Sequence, residues 1–212
     1  MIRSPIYSAT WRAIVLLLIV EISIVSVLRY FTSIEPPPEP IAANAYAQPF
    51  LMIHVAAGVI GLLVGPLQFV RRIRARWPRF HRATGLVYIF AGAIGAPTGF
   101  VLALGATAGP IASVGFAIPA LLWPVFTWLA WRAAVERRFD DHREWMLRSY
   151  AITATAITLR LYIPASFLLG LDFFPAYRVI SWLAWITNLV LFEYYIRRSR
   201  HSAATPARFA AA

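Results

Sequence analysis

The sequence predicts an all-α polytopic membrane protein, a bundle of six transmembrane helices, and three observations carry that expectation. Of 212 residues, 60% are hydrophobic and 14% charged, against roughly a quarter charged in a soluble domain, so a soluble fold would have more apolar surface than it could hide. Six apolar runs recur, each about 20 residues long and able to cross ~30 Å of hydrocarbon at 1.5 Å per residue. The basic residues, all 20 of them arginine, gather in alternate loops, as the positive-inside rule expects of a chain that threads back and forth.

Each element follows from local pattern. Residues 1–12 form an N-terminal segment with Arg3 and Arg12, placed in the cytoplasm. The first run, Ala13–Phe31, is interrupted by Glu21. The small-residue stretch Ala45-Tyr46-Ala47 lies too far past that run for signal cleavage, so the run reads as an uncleaved anchor. The connection 34–49, with Glu35-Pro36-Pro37-Pro38-Glu39-Pro40, has the composition of an extended linker and is expected on the external face. The second run is Pro49–Val70, followed by Arg71, Arg72, Arg74, Arg76, Arg79 and Arg82. The third is Gly85–Gly105, the fourth Ile111–Trp131, the fifth Tyr150–Leu171 and the sixth Ala176–Ile196. Residues 13–196 thus make one transmembrane domain, and 197–212 a basic cytoplasmic tail. Pro66, Pro97, Pro119, Pro124 and Pro164 each remove a backbone donor within a span and can kink it.

Charge and composition exclude several classes. Every arginine except Arg29, Arg160 and Arg178 falls at one end of the bundle, so the net charge of +11 is explained by a face beside anionic lipid without nucleic acid. There is no cysteine, which removes disulfides, thiolate metal sites and cysteine nucleophiles. No Walker or dinucleotide glycine loop, no His-x-x-Glu-His zinc pattern and no serine-hydrolase constellation is present.

What remains are histidines and glycines sharing helical faces inside apolar runs. His54, Gly58, Gly61, Gly65 and Gln68 recur at helical spacing in one span, and His81, Gly85, Tyr88, Gly92, Gly95 and Gly99 in the next. Histidine is costly in lipid and glycine clears space beside a helix, so these faces should look into the protein. His142, Met146, Ser149, Thr153, Ala156 and Arg160 share a third face if the fifth helix begins before the membrane.

Several of these runs carry a resemblance: His54-Val55-Ala56-Ala57-Gly58 through Gly65-Pro66-Leu67-Gln68-Phe69, His81-Arg82-Ala83-Thr84-Gly85-Leu86-Val87-Tyr88, and His142-Arg143-Glu144-Trp145-Met146-Leu147-Arg148-Ser149-Tyr150 with Thr158-Leu159-Arg160. The chain resembles, from about Pro49 to Pro164, the domain-of-unknown-function 2306 family of predicted bacterial membrane proteins. That resemblance implies a multi-span membrane protein and no particular reaction. With the arginine asymmetry it places the chain in a bacterial inner membrane, both termini cytoplasmic.

The residues leave several chemistries open. His81 and His142 enter from the same end at similar depth, as bis-histidine ligation of a b-type haem needs. Glycines on the His81 face, near Tyr88, could admit the macrocycle, and Arg82, Arg143 or Arg148 its propionates. A metal held by His81, His142 and Asp141 is the rival at that end. The plainer reading is that these histidines cap helices and the glycines let helices approach. His54 and Gln68, from the opposite chain direction, are candidate ligand-binding residues, and His54 lies too far from the other two to share a ligand with them. Arg160 and Glu21, both near the bilayer midplane, are expected to pair; otherwise Arg160 faces an anionic or carbonyl-bearing ligand such as a quinone head group. The leading class is a redox or ligand-binding membrane protein; the alternative is a non-catalytic subunit or assembly factor packed against other membrane subunits in a larger complex.

Overall fold

The structure is a computed structural model that describes residues 5–32, 34 and 39–209, with side chains placed for 10, 13–32, 34 and 39–200. The N-terminal residues 1–4, Pro36 to Pro38 with Glu35, and the side chains of the tail beyond 200 lie outside the described residues. Among the described residues the chain is helical throughout, with no strand, and six helices are long and apolar enough to cross a membrane.

Helix α1 is Pro5–Phe31, followed by the single turn α2, Glu39–Ala42, and by α3, Ala47–Val64. A 3-10 turn at Gly65–Phe69 ends α3 at Pro66, where the missing donor stops the helical ladder. The short α4, Arg71–Arg76, leads into α5, Pro78–Leu104, and then α6, Pro110–Val135. Both α5 and α6 open on a proline in the first turn, where its absent N–H costs nothing. The fifth span is two helices, α7 (Phe139–Thr153) and α8 (Thr155–Leu168), joined at Ala154, and α9 runs Phe173–Phe209. Pro97, Pro119, Pro124 and Pro164 lie inside helices that continue past them.

Three boundaries differ from the sequence expectation, and each difference moves a functional candidate. The third span starts at Pro78 rather than Gly85, which brings His81 into its first turn. The fifth starts at Phe139, so His142 and Arg160 do lie on one continuous span, interrupted only at Ala154. The sixth helix runs on past Ile196, so the start of the basic tail is helical and not a separate segment.

α3 packs on α5, α5 on α6, and α6 on α7, while α1 bridges α3 and α8 and α9 closes against α6, α7 and α8. The α7–α8 span thus touches α1, α3, α6 and α9 and runs through the middle of the bundle. Its centre, Ser149 through Ala154, is buried residue after residue.

The glycine faces do clear space, and this chain's own side chains fill it. A Cβ on Gly65 would collide with the Tyr150 ring, one on Gly95 would lie 2.8 Å from Trp123, and one on Gly99 would lie 2.7 Å from His54. Gly85 sits against Gln68 and Gly92 against Trp123. Close aromatic packing follows, with Tyr88 edge-on to Trp123 at a centroid distance of 6.5 Å.

The expected ion pair of Glu21 with Arg160 is not formed. α1 buries Ile19, Ile22, Ser23 and Ser26, one helical face on which the serine hydroxyls donate to Ile19 and Ile22 carbonyls. Glu21 falls on the opposite face and is exposed, whereas Arg160 turns into the bundle. Depth matched; rotation about the α1 axis did not.

Candidate functional site

The two ends of the bundle are built differently, and the end bearing the proline-rich connection holds an internal cavity of roughly 240 Å³. Its walls come from α3, α5, α6 and α8, with Tyr30 from α1 and Tyr177 from α9. Trp123 and Thr153 form the floor. The roof is α2 with Asn44, pinned by hydrogen bonds from Asn44 Nδ2 to the Leu102 carbonyl at 2.7 Å and from Thr107 Oγ1 to the Pro40 carbonyl at 2.8 Å.

His54 and Arg160, two of the expected ligand-binding residues, both line this cavity. His54 Nδ1 lies 2.8 Å from the Gly95 carbonyl, which can only accept, so Nδ1 carries the proton and Nε2 of the neutral ring keeps its lone pair. Arg160 donates from one terminal nitrogen to the Ala156 carbonyl at 3.0 Å, one turn back on its own helix. No carboxylate pairs with it among the described residues; its electrostatic neighbours are Tyr30, Arg29 and Tyr177. Thr155 Oγ1 is buried on the same wall with no hydrogen-bond partner among the described residues. Gly58 faces the cavity too, with nothing within 4 Å of the position its Cβ would take. The lining therefore offers donors, one imidazole acceptor and a cation, and no carboxylate among the described residues.

Below the floor, the polar groups satisfy one another. Tyr88, fully buried, places its hydroxyl 2.9 Å from Ser149 Oγ and 2.8 Å from Thr153 Oγ1, and accepts from Trp123 Nε1 at 3.3 Å. Ser149 Oγ in turn lies 2.7 Å from Thr127 Oγ1. Tyr88, expected beside a cofactor, is instead the hub of this closed network. Buried hydroxyls without partners would each cost about 1–3 kcal/mol, which is why they occur as a group.

At the arginine-rich end, Gln68 is buried and donates to Thr84 Oγ1 at 2.9 Å, tying the 3-10 turn to α5, so it is far from the cavity that His54 and Arg160 share. His81 and His142 lie within electrostatic reach of each other, with Arg74 nearby. His142 Nδ1 is 2.8 Å from the Ala130 carbonyl, while His81 Nδ1 is buried without a partner among the described residues. The haem expected between them does not fit the surroundings. Gly85 and Gly92, which were to admit the macrocycle, are occupied by Gln68 and Trp123. Arg148, one expected propionate partner, donates twice to Glu193 and stacks on Trp145 at 4.8 Å. Arg82 is exposed, and Arg143 donates to the Tyr195 hydroxyl. The metal set is not assembled either. Asp141 is held by Arg138, and no group of three or more His, Cys, Asp or Glu side chains gathers among the described residues.

The two arginine-rich hairpins contrast sharply. Between α6 and α7, Arg132 and Arg138 both bind Glu136, which holds its exposed carboxyl below the usual carboxylate range. Glu144 pairs with Arg148 and Arg200 across to α9. Between α3 and α5, by contrast, the chain has no acidic residue from 40 to 135, and Arg71, Arg72, Arg74, Arg76, Arg79 and Arg82 are exposed without an ion pair among the described residues.

The comparisons bear on the same stretch of chain. The model of the family described as predicted membrane protein (DUF2306) matches residues 51–196, from the second residue turn of α3 to the middle of α9. The chain belongs to the DUF2306 family. No curated protein and no solved structure matches it. The family match takes in His54, the glycines, the central hydroxyl network and Arg160, and leaves α1 outside. Sequence reasoning missed Tyr30, Asn44, Thr155 and Tyr177. Tyr30 and Asn44 precede the region of resemblance, and only folding sets them on the cavity that Arg160 lines.

Proposed function

We propose that this DUF2306 protein is a ligand-binding membrane protein whose cavity takes a carbonyl-bearing head group, with a quinone as the favoured class. One observation carries the reading: a membrane-embedded arginine that no carboxylate neutralises among the described residues opens on a cavity shared with an imidazole acceptor. A desolvated guanidinium at that depth calls for an acceptor-rich partner. Arg160 and Thr155 would donate to the carbonyl oxygens, and His54 Nε2 would accept from the hydroxyl of the reduced form. The cavity, at roughly 240 Å³, is smaller than the ~300–1,000 Å³ pockets that enclose drug-sized ligands, which suits a head group whose tail stays in lipid. The proposed setting is a bacterial inner membrane with both termini cytoplasmic, which turns the cavity toward the external face.

The test is retention and binding. The full chain, purified in mild detergent from bacterial membranes, should carry quinone extractable with solvent and should bind decylubiquinone saturably. Arg160→Leu and His54→Leu should each weaken that binding by about tenfold or more, the value of one charge-assisted or buried hydrogen bond. Absence of both retained quinone and saturable binding overturns the reading and leaves the non-catalytic subunit as the better account.

A further inference from the structure

The connection between α3 and α5 is too short to leave the membrane surface. Only residues 70–77 separate the apolar spans Ala47–Phe69 and Pro78–Leu104, and α4 fills most of them. At 1.5 Å per residue the six residues of α4 measure about 9 Å, comparable with the ~5–8 Å of polar headgroup layer on each side of the hydrocarbon. Joined to a span at both ends, α4 is held at headgroup depth. It carries four arginines, and Arg79 and Arg82 follow in the opening turns of α5; all six are exposed, with no ion pair among the described residues. Val70, Trp77 and Phe80 are exposed between them, Trp77 by 56%. Apolar and aromatic side chains interleaved with cations are the surface of an element seated among headgroups. Even His81, half-buried in the first turn of α5, has His142 and Arg74 as its charged neighbours.

We infer that the α3–α5 hairpin is a binding surface for anionic phospholipid, its arginines engaging phosphodiester oxygens while Val70, Trp77 and Phe80 sit among the upper acyl chains. Charge complementarity names the occupant's chemistry, because six cations without an internal carboxylate call for anions. The short tether names its source: groups held at headgroup depth meet the lipid of their own leaflet first. Arginine suits this partner, since its planar fork matches two phosphate oxygens at once and its charge is weakly hydrated. The α6–α7 hairpin, at the same end of the bundle, meets the same lipid with its charges already spent. There Arg132 and Arg138 bind Glu136, and Arg138 also binds Asp141. Selectivity for anionic lipid should therefore belong to one hairpin and not to the whole arginine-rich end. The site is separate from the cavity lined by His54 and Arg160, and either reading can fail without the other.

The test counts retained lipid. The full chain is reconstituted in nanodiscs of equal phosphatidylglycerol and phosphatidylcholine with matched acyl chains, then released into mild detergent for native mass spectrometry. Phosphatidylglycerol should be retained about tenfold or more over phosphatidylcholine at low salt, at roughly fivefold per arginine beside an anionic surface. The ratio should fall toward one in about 1 M salt, where the Debye length is ~3 Å. The double variants Arg71→Gln with Arg72→Gln, and Arg74→Gln with Arg76→Gln, should each cut the ratio about fivefold or more. Arg132→Gln with Arg138→Gln should change it less than about twofold, as expected of cations already paired. A wild-type ratio near one overturns the inference and leaves an acidic protein segment as the better occupant. Equal losses from the two hairpins, or a ratio indifferent to salt, overturn it as well. Loss of the preference in millimolar inorganic phosphate would show a site for free phosphate and not for lipid; persistence there supports the lipid. Each double variant leaves four arginines to orient the hairpin, and the salt and phosphate arms use the unaltered protein, so they decide the matter even if a variant misfolds.

Discussion

Arg160 and Arg148 sit on the same span, yet one is a loose end and the other is saturated. Arg148 has two carboxylates and an aromatic face for company, at the arginine-rich end where α7 meets α9. Arg160 has a carbonyl from its own helix and a cavity. The same chemistry thus does structural work at one end of the bundle and is left available at the other. Polar groups that are mutually satisfied specify packing; a ligand is sought where they are not. Glycine divides in the same way: Gly65 is needed by Tyr150, whereas Gly58 borders empty space.

The largest effect expected from breaking this contrast is on stability at the saturated end. Arg148→Leu takes one of two arginine partners from each of Glu193 and Glu144 and the cation stacked on Trp145, and should cost ~2–4 kcal/mol, below the usual loss for a fully buried pair because Arg197 and Arg200 remain. Arg160→Leu should leave the thermal midpoint in detergent unchanged or raise it while weakening decylubiquinone binding about tenfold or more. If both destabilise equally, Arg160 has a structural partner and the cavity reading weakens. Next in size is Gly65→Ala, where the added methyl overlaps the buried Tyr150 ring and should cost ~1–3 kcal/mol. Gly58→Ala should be neutral for folding and read out only in decylubiquinone affinity. Tyr88→Phe removes the hub of the hydroxyl network and should cost ~1–2 kcal/mol with ligand affinity preserved. Thr155→Val deletes a hydroxyl that has no protein partner, so stability should hold and affinity fall a fewfold.

The smallest effect is that of pH on the α6–α7 hairpin. Arg132 and Arg138 depress the Glu136 carboxyl, so its contribution is present above the ordinary carboxylate pKa and is lost as pH falls through the depressed folded value. Glu136 is exposed, and the loss should be slight. Glu136→Gln should remove that part of the acid sensitivity in thermal melts, and a wild-type profile identical to the variant's would show that the ion pairs contribute nothing.

The six spans were legible because hydrophobic length is a one-dimensional property, and the bilayer enforces it residue by residue. Helical faces were legible for the same reason, so His54 and Arg160 could each be named as facing inward. What spacing could not supply was rotation of one helix against another. Glu21 and Arg160 matched in depth and missed in azimuth. Glycine faces were read correctly as space, but whether that space is left open or filled depends on side chains far away in sequence, Trp123 above all. Nor could the chain order reveal that Tyr30 and Tyr177, from two other spans, come beside the Arg160 guanidinium.

The acid-free hairpin Arg71 to Arg82 has a consequence for how the protein is made. Each of its arginines resists passage through the bilayer, and the membrane potential adds ~2.3 kcal/mol per charge per 100 mV against export. Four arginines between α3 and α5 and two more in the opening turns of α5, with no ion pair among the described residues, should therefore act as a local lock on insertion, setting the direction of that helix pair without reference to whatever precedes it. The orientation of the family core need not be inherited from α1. A reporter fused after Arg76 should stay on the cytoplasmic side whether or not the first 46 residues are present.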